Sequence, residues 1–292
     1  MQPAFEKVNT GLNQSFYVNH LKTDQFPSPL HFHPEIEILL IIEGTGTRLI
    51  GDSVGRFSPG ELIMIGSKIP HVWHSDKPVN SKDDSKKPET IYIQFKEDFA
   101  GGKFNSLPEF QTIKKLFEDS KRGIKLTGDT REKLSKMVKN IYNADGFKRI
   151  VILMDMLQTI AESKETELLA SPVVNAPVNE KDSTQLNKIY NYILENYNEN
   201  ILVDQIAFEA NLSTSAFCRY FKKNTNKTFI QFLNEVRVGH ACRFLQSDKN
   251  QSVSQICYAC GYNNTSYFIR QFKRITGYTP LSYRKRFLGE YV

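Results

Sequence analysis

Three histidines and a glutamate near the start of the chain carry side chains that bind metal ions or polar ligands: His31, His33, Glu37 and His71. His31 and His33 are two residues apart, and alternate residues of a β-strand face the same side of a sheet. Three imidazoles and one carboxylate are a competent ligand set for Zn²⁺, Ni²⁺, Mn²⁺ or Fe²⁺. The same groups also suit the polar lining of a pocket for an organic molecule, so two uses are open.

A second set of residues near the end of the chain carries groups that recognise nucleic acid. It combines hydroxyl, amide, thiol and cationic side chains with one isoleucine: Ser213, Thr214, Ser215, Cys218, Arg219, Lys222, Asn264, Thr265, Ser266, Ile269, Arg270 and Lys273. On one face of a helix, such groups form hydrogen bonds with base edges in the major groove and contact the flanking phosphates. The apolar side chain of Ile269 suits a contact with the methyl group of a thymine. The simpler alternative is a polar helix face that only meets water.

The segments that carry this second set form an internal repeat. Residues 203–212 recur as residues 253–262, and residues 217–223 match residues 268–274 with one extra residue in the second turn. Each copy predicts a helix, a turn and a second helix whose apolar faces pack together. Repetition favours a shared function over two unrelated helical hairpins.

Residue types at the predicted turns support this interpretation. Asn211 and Gly261 are the types that best tolerate a positive φ, and Ser213 with Asn263 or Asn264 occupies the position of an N-cap. The first turn of the second helix then presents free backbone N–H groups to a phosphate. Between the copies, an apolar pattern over residues 229–245 predicts a long helix. Two recognition helices held about 34 Å apart would enter successive major grooves on one side of a duplex.

The front of the chain predicts short strands followed by helices. Apolar or β-branched runs at residues 35–42, 47–50, 62–65 and 90–95 are separated by glycines, which is typical of an antiparallel barrel or sandwich. Residues 76–89 predict a polar loop. A capping box at residues 106–109 predicts the start of the first of three helices.

The third of these helices, residues 147–161, is apolar on almost every side and must therefore be covered. We favour a dimer contact over packing within one subunit.

Composition and charge limit the classes of protein. The chain has 292 residues, 40% of them hydrophobic and 24% charged, which fits two globular domains and excludes disordered or collagen-like proteins. No apolar run approaches the roughly 20 residues that cross a bilayer, and no secretory signal is recognised, so a cytoplasmic location is expected. Residues 1–182 carry 24 basic and 25 acidic side chains, whereas residues 183–292 carry 14 and 7. The basic last third suggests a polyanionic partner.

The four cysteines are predicted to be thiols, because a cytoplasmic chain of this length does not use so few as a disulfide framework. Cys257 and Cys260 have the spacing of a metal or redox motif. No second pair is spaced to complete a tetrahedron, so metal binding there is disfavoured.

The last hundred residues resemble the AraC/XylS family of transcription regulators. The matching residues are Arg237, Ala241, Leu245, Val253, Ile256, Cys257, Gly261, Tyr262, Ser266, Tyr267, Phe268, Arg270, Phe272, Lys273, Gly277, Thr279, Pro280, Tyr283 and Arg284. The resemblance implies a DNA-binding domain with two helix-turn-helix units joined by a long helix. Arg219 and Arg270 match the family's recognition-helix arginines. Asn226 departs from the usual glycine, and Ser215 and Cys218 leave the base preference of the first recognition helix open.

The front histidines resemble cupin motifs. His31-x-His33-x₃-Glu37-x₆-Gly44 is similar to the first motif, and residues 60–71 are similar to a second motif in which a proline and an inner glycine are replaced. Cupin barrels are the usual sensor domains of the AraC/XylS family, which commonly keep His-x-His while binding an organic effector. We therefore predict effector contacts from the four front residues and Trp73, which suits stacking on a sugar, and no metal or other cofactor. The same four residues are the alternative metal ligands.

These inferences predict a multidomain α and β protein. Residues 1–100 form a cupin-like, antiparallel effector-binding barrel, residues 101–165 a helical dimerisation segment packed on it, and residues 166–183 a linker. Residues 184–292 form an all-α DNA-binding domain of two helix-turn-helix units. The predicted function is a cytoplasmic, homodimeric, non-enzymatic regulator that binds double-stranded promoter DNA under control of a small-molecule effector.

Two alternatives are kept. One is a metal-dependent cupin enzyme with an appended helical domain, and the other is a constitutive DNA-binding module whose barrel only dimerises.

Overall fold

The computed structural model describes residues 14–26, 29–76, 87–172, 180–247 and 250–287. Most of the predicted loop at residues 76–89 and the middle of the predicted linker, residues 173–179, lie outside these described residues. The chain divides into two compact units, and the division between the long segments falls between Ser183 and Thr184.

Antiparallel strands build the first part of the N-terminal unit. They are β1 (Phe16–Lys22), β2 (Ile36–Glu43), β3 (Gly46–Ile50), β4 (Ser53–Phe57), β5 (Leu62–Ile65), β6 (His71–Ser75), β7 (Glu89–Phe95), β8 (Ile124–Leu126) and β9 (Thr166–Leu168). Six strands form one sheet in the order β1-β7-β2-β5-β8-β9, and three form a second sheet in the order β4-β3-β6. The prediction of antiparallel strands is confirmed. Among the described residues, the ladders form two sheets and not one closed ring.

Strand β2 shows why the larger sheet is covered on both faces. Its alternate residues Ile36, Ile38 and Leu40 join the core shared with the helices, whereas Leu39 and Ile41 join the core between the two sheets. Side chains of a strand alternate between faces, so a continuous apolar run predicts a strand covered on both sides. Glu37 has the same parity as Leu39 and Ile41 and therefore faces the second sheet.

Three helices cover the outer face of the larger sheet: α1 (Gln111–Ser120), α2 (Gly128–Tyr142) and α3 (Phe147–Glu162). The predicted capping box is wrong. Ser106 lies in a short 3₁₀ turn, and its hydroxyl donates to the Lys103 carbonyl at 2.7 Å. The α-helix begins only at Gln111, because a second 3₁₀ turn that starts at Pro108 comes first.

The C-terminal unit is helical. Its elements are α4 (Glu180–Asn196), α5 (Val203–Glu209), α6 (Thr214–Thr225), α7 (Phe229–Ser247), α8 (Val253–Ala259), α9 (Thr265–Thr276) and α10 (Pro280–Phe287). The pairs α5–α6 and α8–α9 are the two predicted helix-turn-helix units, and α7 joins them. Its 19 residues make α7 about 28 Å long at roughly 1.5 Å per residue.

The two helix-turn-helix units repeat at the level of single hydrogen bonds. In the first turn, the amide of Leu212 donates to the Ala207 carbonyl at 2.9 Å, and in the second the amide of Tyr262 donates to the Cys257 carbonyl at 3.1 Å. Both pairs are related by a shift of fifty residues. The predicted repeat is therefore a repeat of backbone conformation.

Candidate nucleic-acid interface and sensor site

The predicted DNA-contact residues lie on the outer sides of α6 and α9. Eleven of the twelve are exposed, and Thr265 is half-buried. The opposite sides of these helices carry fully buried phenylalanines, Phe217 and Phe221 in α6 and Phe268 and Phe272 in α9. Each helix thus presents a polar and cationic face to solvent, while its opposite, aromatic face is buried in the core.

N-caps order the first turn of both helices. The Ser213 hydroxyl accepts a hydrogen bond from the Ala216 amide at 3.4 Å, and Oδ1 of Asn264 accepts one from the Tyr267 amide at 2.8 Å. Ser213 and Asn264 are therefore caps, and of the two candidates in the second turn Asn264 is the cap. The Thr214 hydroxyl donates to Asp204 Oδ1 at 2.6 Å, so its single proton is already engaged.

Arg270 is supported by Tyr267, whose contact with the arginine the sequence analysis did not predict. Its guanidinium carbon lies 5.3 Å from the centre of the Tyr267 ring, within the range of a cation–π contact. Oη of Tyr267 in turn accepts a hydrogen bond from Nδ2 of Asn234 in α7 at 3.1 Å. The i, i+3 spacing of Tyr267 and Arg270 on one helix was the available signal.

The corners after α5, α6, α8 and α9 all use a positive φ. Asn211 and Gly261 adopt φ of 53° and 78° in the two turns, as predicted, and Asn226 and Gly277 adopt 54° and 79° at the ends of α6 and α9. Asn226 therefore takes the left-handed conformation that glycine takes in the second copy, which explains how this departure is tolerated.

The Cys257 and Cys260 side chains belong to the core of the second helix-turn-helix unit. Both are fully buried and pack with Ile256, Phe268 and Phe272. Burial raises the pKa of the Cys260 thiol to about 12 and also raises the pKa of Cys257. Both side chains are therefore neutral thiols at pH 7 that fill the core.

The front histidines meet between the two sheets of the N-terminal unit. His31 and His71 form an isolated antiparallel bridge, and the ligand nitrogens of His31, His33 and His71 all lie within 4.8 Å of one another. His33 and His71 are fully buried, and His31 is half-buried. Within the described part of the chain, this is the one cluster of three or more histidine, cysteine or acidic side chains arranged to hold a metal ion.

Backbone carbonyls orient all three rings. Nδ1 of His31 lies 3.1 Å from the Pro29 carbonyl, Nδ1 of His33 lies 3.0 Å from that of Glu35, and Nδ1 of His71 lies 2.7 Å from that of Ile69. A carbonyl only accepts, so each Nδ1 carries a proton and donates it. Burial lowers the pKa of His71 to about 3, so at pH 7 its Nε2 bears a lone pair.

Glu37 supplies the charge of the cluster. Its Oε2 lies 3.3 Å from Nε2 of His33 and accepts a hydrogen bond from Nε2 of Gln94 at 2.8 Å. Burial alone would raise the pKa of this carboxyl, but the hydrogen bond from His33 and the neighbouring imidazoles lower it to about 2. Glu37 is therefore an ionised carboxylate. Gln94, which sequence reasoning missed, is its direct cross-strand partner on β7.

A cavity of about 80 Å³ opens beside this cluster. Three of the five predicted effector residues, His31, Glu37 and Trp73, line it, together with other side chains: Leu21, Phe26, Leu39, Ile41, Thr90, Tyr92 and Gln94. His33 and His71 do not line it. Ligand pockets usually measure about 300–1,000 Å³, so this cavity holds a few waters or a very small ligand as it stands.

The C-terminal unit matches a family model described as "Helix-turn-helix domain" over residues 206–286. Across the whole chain, the protein is 28% identical over 276 residues to an uncharacterized HTH-type transcriptional regulator, YdeC, of Bacillus subtilis (strain 168), covering 88% of this chain and 86% of that protein. It is 22% identical over 273 residues to the HTH-type transcriptional activator RhaR of Mannheimia succiniciproducens, covering 90% of each.

Among solved structures, the chain is similar to the DNA-binding domain of AdpA, a global transcriptional factor, in complex with a target DNA. The two are 27% identical, with a TM-score of 0.35, over 36% of this chain and 95% of that one.

In the described part of the chain, no helix is both long and apolar enough to span a bilayer.

The domain match covers both helix-turn-helix units, and the two full-length relatives named above are HTH-type regulators. The signature residues from Arg237 to Arg284 carry the same assignment. The chain is a DNA-binding transcriptional regulator whose C-terminal unit carries an AraC-type helix-turn-helix domain.

Proposed function

We propose that the protein grips promoter DNA by placing α6 and α9 in successive major grooves, with the twelve exposed or half-exposed side chains described above as the contacts. The observation that carries this proposal is the matched exposure of Arg219 and Arg270 on helices that share one backbone repeat. The flanking cations Lys222 and Lys273 occupy matched positions for phosphate contacts. The capped first turns of α6 and α9 add backbone N–H groups and a positive dipole end.

Selection of bound fragments from random DNA by the full chain tests this geometry. We expect a two-part motif with about 10 bp between the centres of its halves. Arg219→Ala should relax the sequence requirement in one half only. Lys188→Ala removes an exposed cation from α4 in the same unit and is the matched control. Selection of a motif with a single half, or equal effects of the two substitutions, would contradict the proposal.

The N-terminal unit is proposed to be the effector sensor. A cavity persists between its two sheets, and apolar walls such as Leu39 and Ile41 meet the polar end formed by His31, Glu37 and Gln94. A barrel that served only to dimerise would have its interior filled by side chains, so the cavity supports a sensor over the constitutive alternative. Effector-dependent DNA binding requires that the effector bind the DNA-competent arrangement with a different affinity.

We test the sensor with purified protein in gel shifts against the selected DNA. Candidate small molecules are ranked by their effect on the dissociation constant, and Trp73→Phe should weaken the response because it removes the indole from the cavity wall. An enzyme of the cupin type would instead turn over a substrate and lose that turnover on His31→Ala. The two full-length relatives named above are transcriptional regulators, which supports a non-enzymatic sensor.

A homodimer through the segment of residues 101–165 completes the proposal. The α3 helix buries Leu153, Met156 and Leu157 but leaves Phe147 76% exposed and Val151 51% exposed. Covering such side chains stabilises each by about 1–3 kcal/mol, which favours pairing with a second copy. Sedimentation should show a dimer that Val151→Lys converts to a monomer, while Lys148→Ala, an exposed neighbour, leaves it intact. A monomeric wild-type chain would refute this contact.

A further inference from the structure

The strand β9 forms one edge of the larger sheet, and its outer side is open. Among the described residues, β9 pairs with β8 alone, and all three of its residues, Thr166, Glu167 and Leu168, are exposed. An open edge carries backbone N–H and C=O groups that can pair with a further strand. We propose that β9 is a docking site for an extended segment of a partner protein, which lengthens the sheet by one antiparallel strand.

The first argument is the direction of the backbone groups of β9. The Glu165 carbonyl accepts a hydrogen bond at 2.9 Å from the amide of Thr127, which directly follows β8. Backbone groups of successive residues in an antiparallel strand point to opposite sides, so those of Glu167 also face β8. The N–H and C=O groups of Thr166 and Leu168 therefore point to the open edge. Among the described residues, these four groups have no hydrogen-bond partner.

The second argument is a groove of about 260 Å³ beside this edge. Thr166 and Leu168 line it from β9, and the buried side chains of Leu116, Ile124 and Ile160 give it an apolar lining. Directly opposite residues of two paired strands place their side chains on the same face of the sheet. Residues of the added strand that bond to Thr166 and Leu168 therefore direct their side chains to the side of the groove. The groove favours apolar residues at these two alternate positions of the partner.

The third argument is the charge of Glu167, which selects the kind of partner. The partner residue between the two apolar positions lies opposite Glu167, with the two Cα atoms about 4.5 Å apart, so a basic side chain is favoured there. A second copy of this chain is disfavoured. Antiparallel pairing of Thr166 with Leu168 of that copy would bring the two Glu167 side chains directly opposite each other. The expected partner segment therefore has the pattern apolar, basic, apolar.

Binding of a synthetic peptide to the full chain tests the proposal. The probe is fluorescein-labelled Ser-Thr-Val-Lys-Val-Thr-Ser, whose two valines would bond to Thr166 and Leu168. Fluorescence anisotropy should show saturable binding of one peptide per chain. N-methylation of both valines removes the N–H groups that donate to β9 and should abolish binding. N-methylation of the lysine is the matched control, because its N–H points away from β9, and should leave binding intact. Binding that survives methylation of the valines, or no saturable binding at millimolar peptide, would overturn the proposal.

Thr166→Pro locates the contact on the backbone of β9. It removes one outward N–H group and none that bonds to β8, and proline is tolerated at an open edge, so the fold should persist. Peptide affinity should fall about 2–10-fold through loss of the hydrogen bond. Unchanged affinity in folded Thr166→Pro protein, checked by circular dichroism, would refute the site. A change of oligomeric state in sedimentation would show that the edge pairs with a second copy instead, which would also overturn the proposal.

Glu167→Lys tests the charge of the partner. This variant should bind the lysine probe about 2–5-fold more weakly and should bind the same peptide with a central glutamate correspondingly more tightly, because cross-strand charges then match in the reverse sense. Glu97→Lys reverses an exposed glutamate elsewhere in the N-terminal unit and is the matched control, which should leave both affinities unchanged. Identical affinities of the two peptides for the Glu167→Lys protein and the wild-type chain would refute the expected pattern.

Discussion

Gly261 is the position where the helix-turn-helix geometry is most sensitive to a single methyl group. It turns the chain between α8 and α9 at φ of 78°, where alanine costs about 1–2 kcal/mol more than glycine. A Cβ there would also lie 2.7 Å from the Tyr197 carbonyl oxygen and 2.8 Å from backbone atoms of Asn198. These are backbone atoms, and the Tyr197 carbonyl is held by Nε of Arg237 at 2.7 Å, so they do not move aside cheaply.

Gly261→Ala should therefore cost the strained φ and an overpacking penalty of about 1–3 kcal/mol, roughly 2–5 kcal/mol in total. Gly277→Ala is the matched control, because Gly277 has nearly the same φ, 79°, and among the described residues no atom lies within 4 Å of the place that a Cβ would take. It should lose only about 1–2 kcal/mol.

Denaturant unfolding of the full chain separates these two costs. Far-UV circular dichroism follows the helices, and fluorescence of Trp73 reports the N-terminal unit alone, which neither substitution touches. Equal losses of helical stability in the two variants would show that the contact with Tyr197 and Asn198 does not constrain the turn. A shift of the Trp73 transition would show that the effect is not confined to the C-terminal unit.

Further outcomes are expected for variants of both units. Arg270→Ala should cost about 1–3 kcal/mol of binding and relax the preference at one base pair, whereas Lys273→Ala should weaken all sequences alike and lower the salt dependence, both read by gel shifts at several salt concentrations. Asn264→Ala should lower the unfolding free energy by about 1 kcal/mol in denaturant titrations through loss of the cap. Glu61→Ala should destabilise the N-terminal unit by about 3–5 kcal/mol, measured by Trp73 fluorescence, because it leaves the buried Arg48 unpaired. The variant that combines Glu61→Leu with Arg48→Met should recover most of that loss.

The helical half of the protein was predictable because its signals are local. Hydrogen bonds at i, i+4, caps such as Ser213 and corners such as Gly261 depend on residues a few positions apart. A repeat of the sequence is therefore a repeat of the backbone. The start of α1 was predicted wrongly because Ser106 and Glu109 fit a capping box, while Pro108 opens a 3₁₀ turn instead.

The front half was predictable only in outline. The strands β2, β3, β5 and β7 follow from apolar runs, but β4, β6, β8 and β9 are short and carry mixed or polar residues. Their place is decided by pairing with distant strands. Gln94 reaches Glu37 because β2 and β7 pair in a register that no local pattern encodes. The side chains of the cluster were foreseen, whereas the tautomers that orient them were not.

The helices α6 and α9 share one backbone conformation but differ in the side chain that precedes the arginine by one turn. We expect this difference to affect how each helix contacts DNA. Position 267, one turn before Arg270, is tyrosine, whereas the matched position before Arg219 is Ala216. An arginine loses about 2 kcal/mol of rotamer freedom when it is fixed. In the free protein the Arg270 guanidinium already lies over the Tyr267 ring. Fixing this side chain on DNA should therefore cost less conformational entropy. Ala216 offers Arg219 no such ring one turn earlier. We therefore expect the second unit to make fixed base contacts, and the first, with Ser215 and Cys218 beside Arg219, to make adaptable contacts with bases and phosphates.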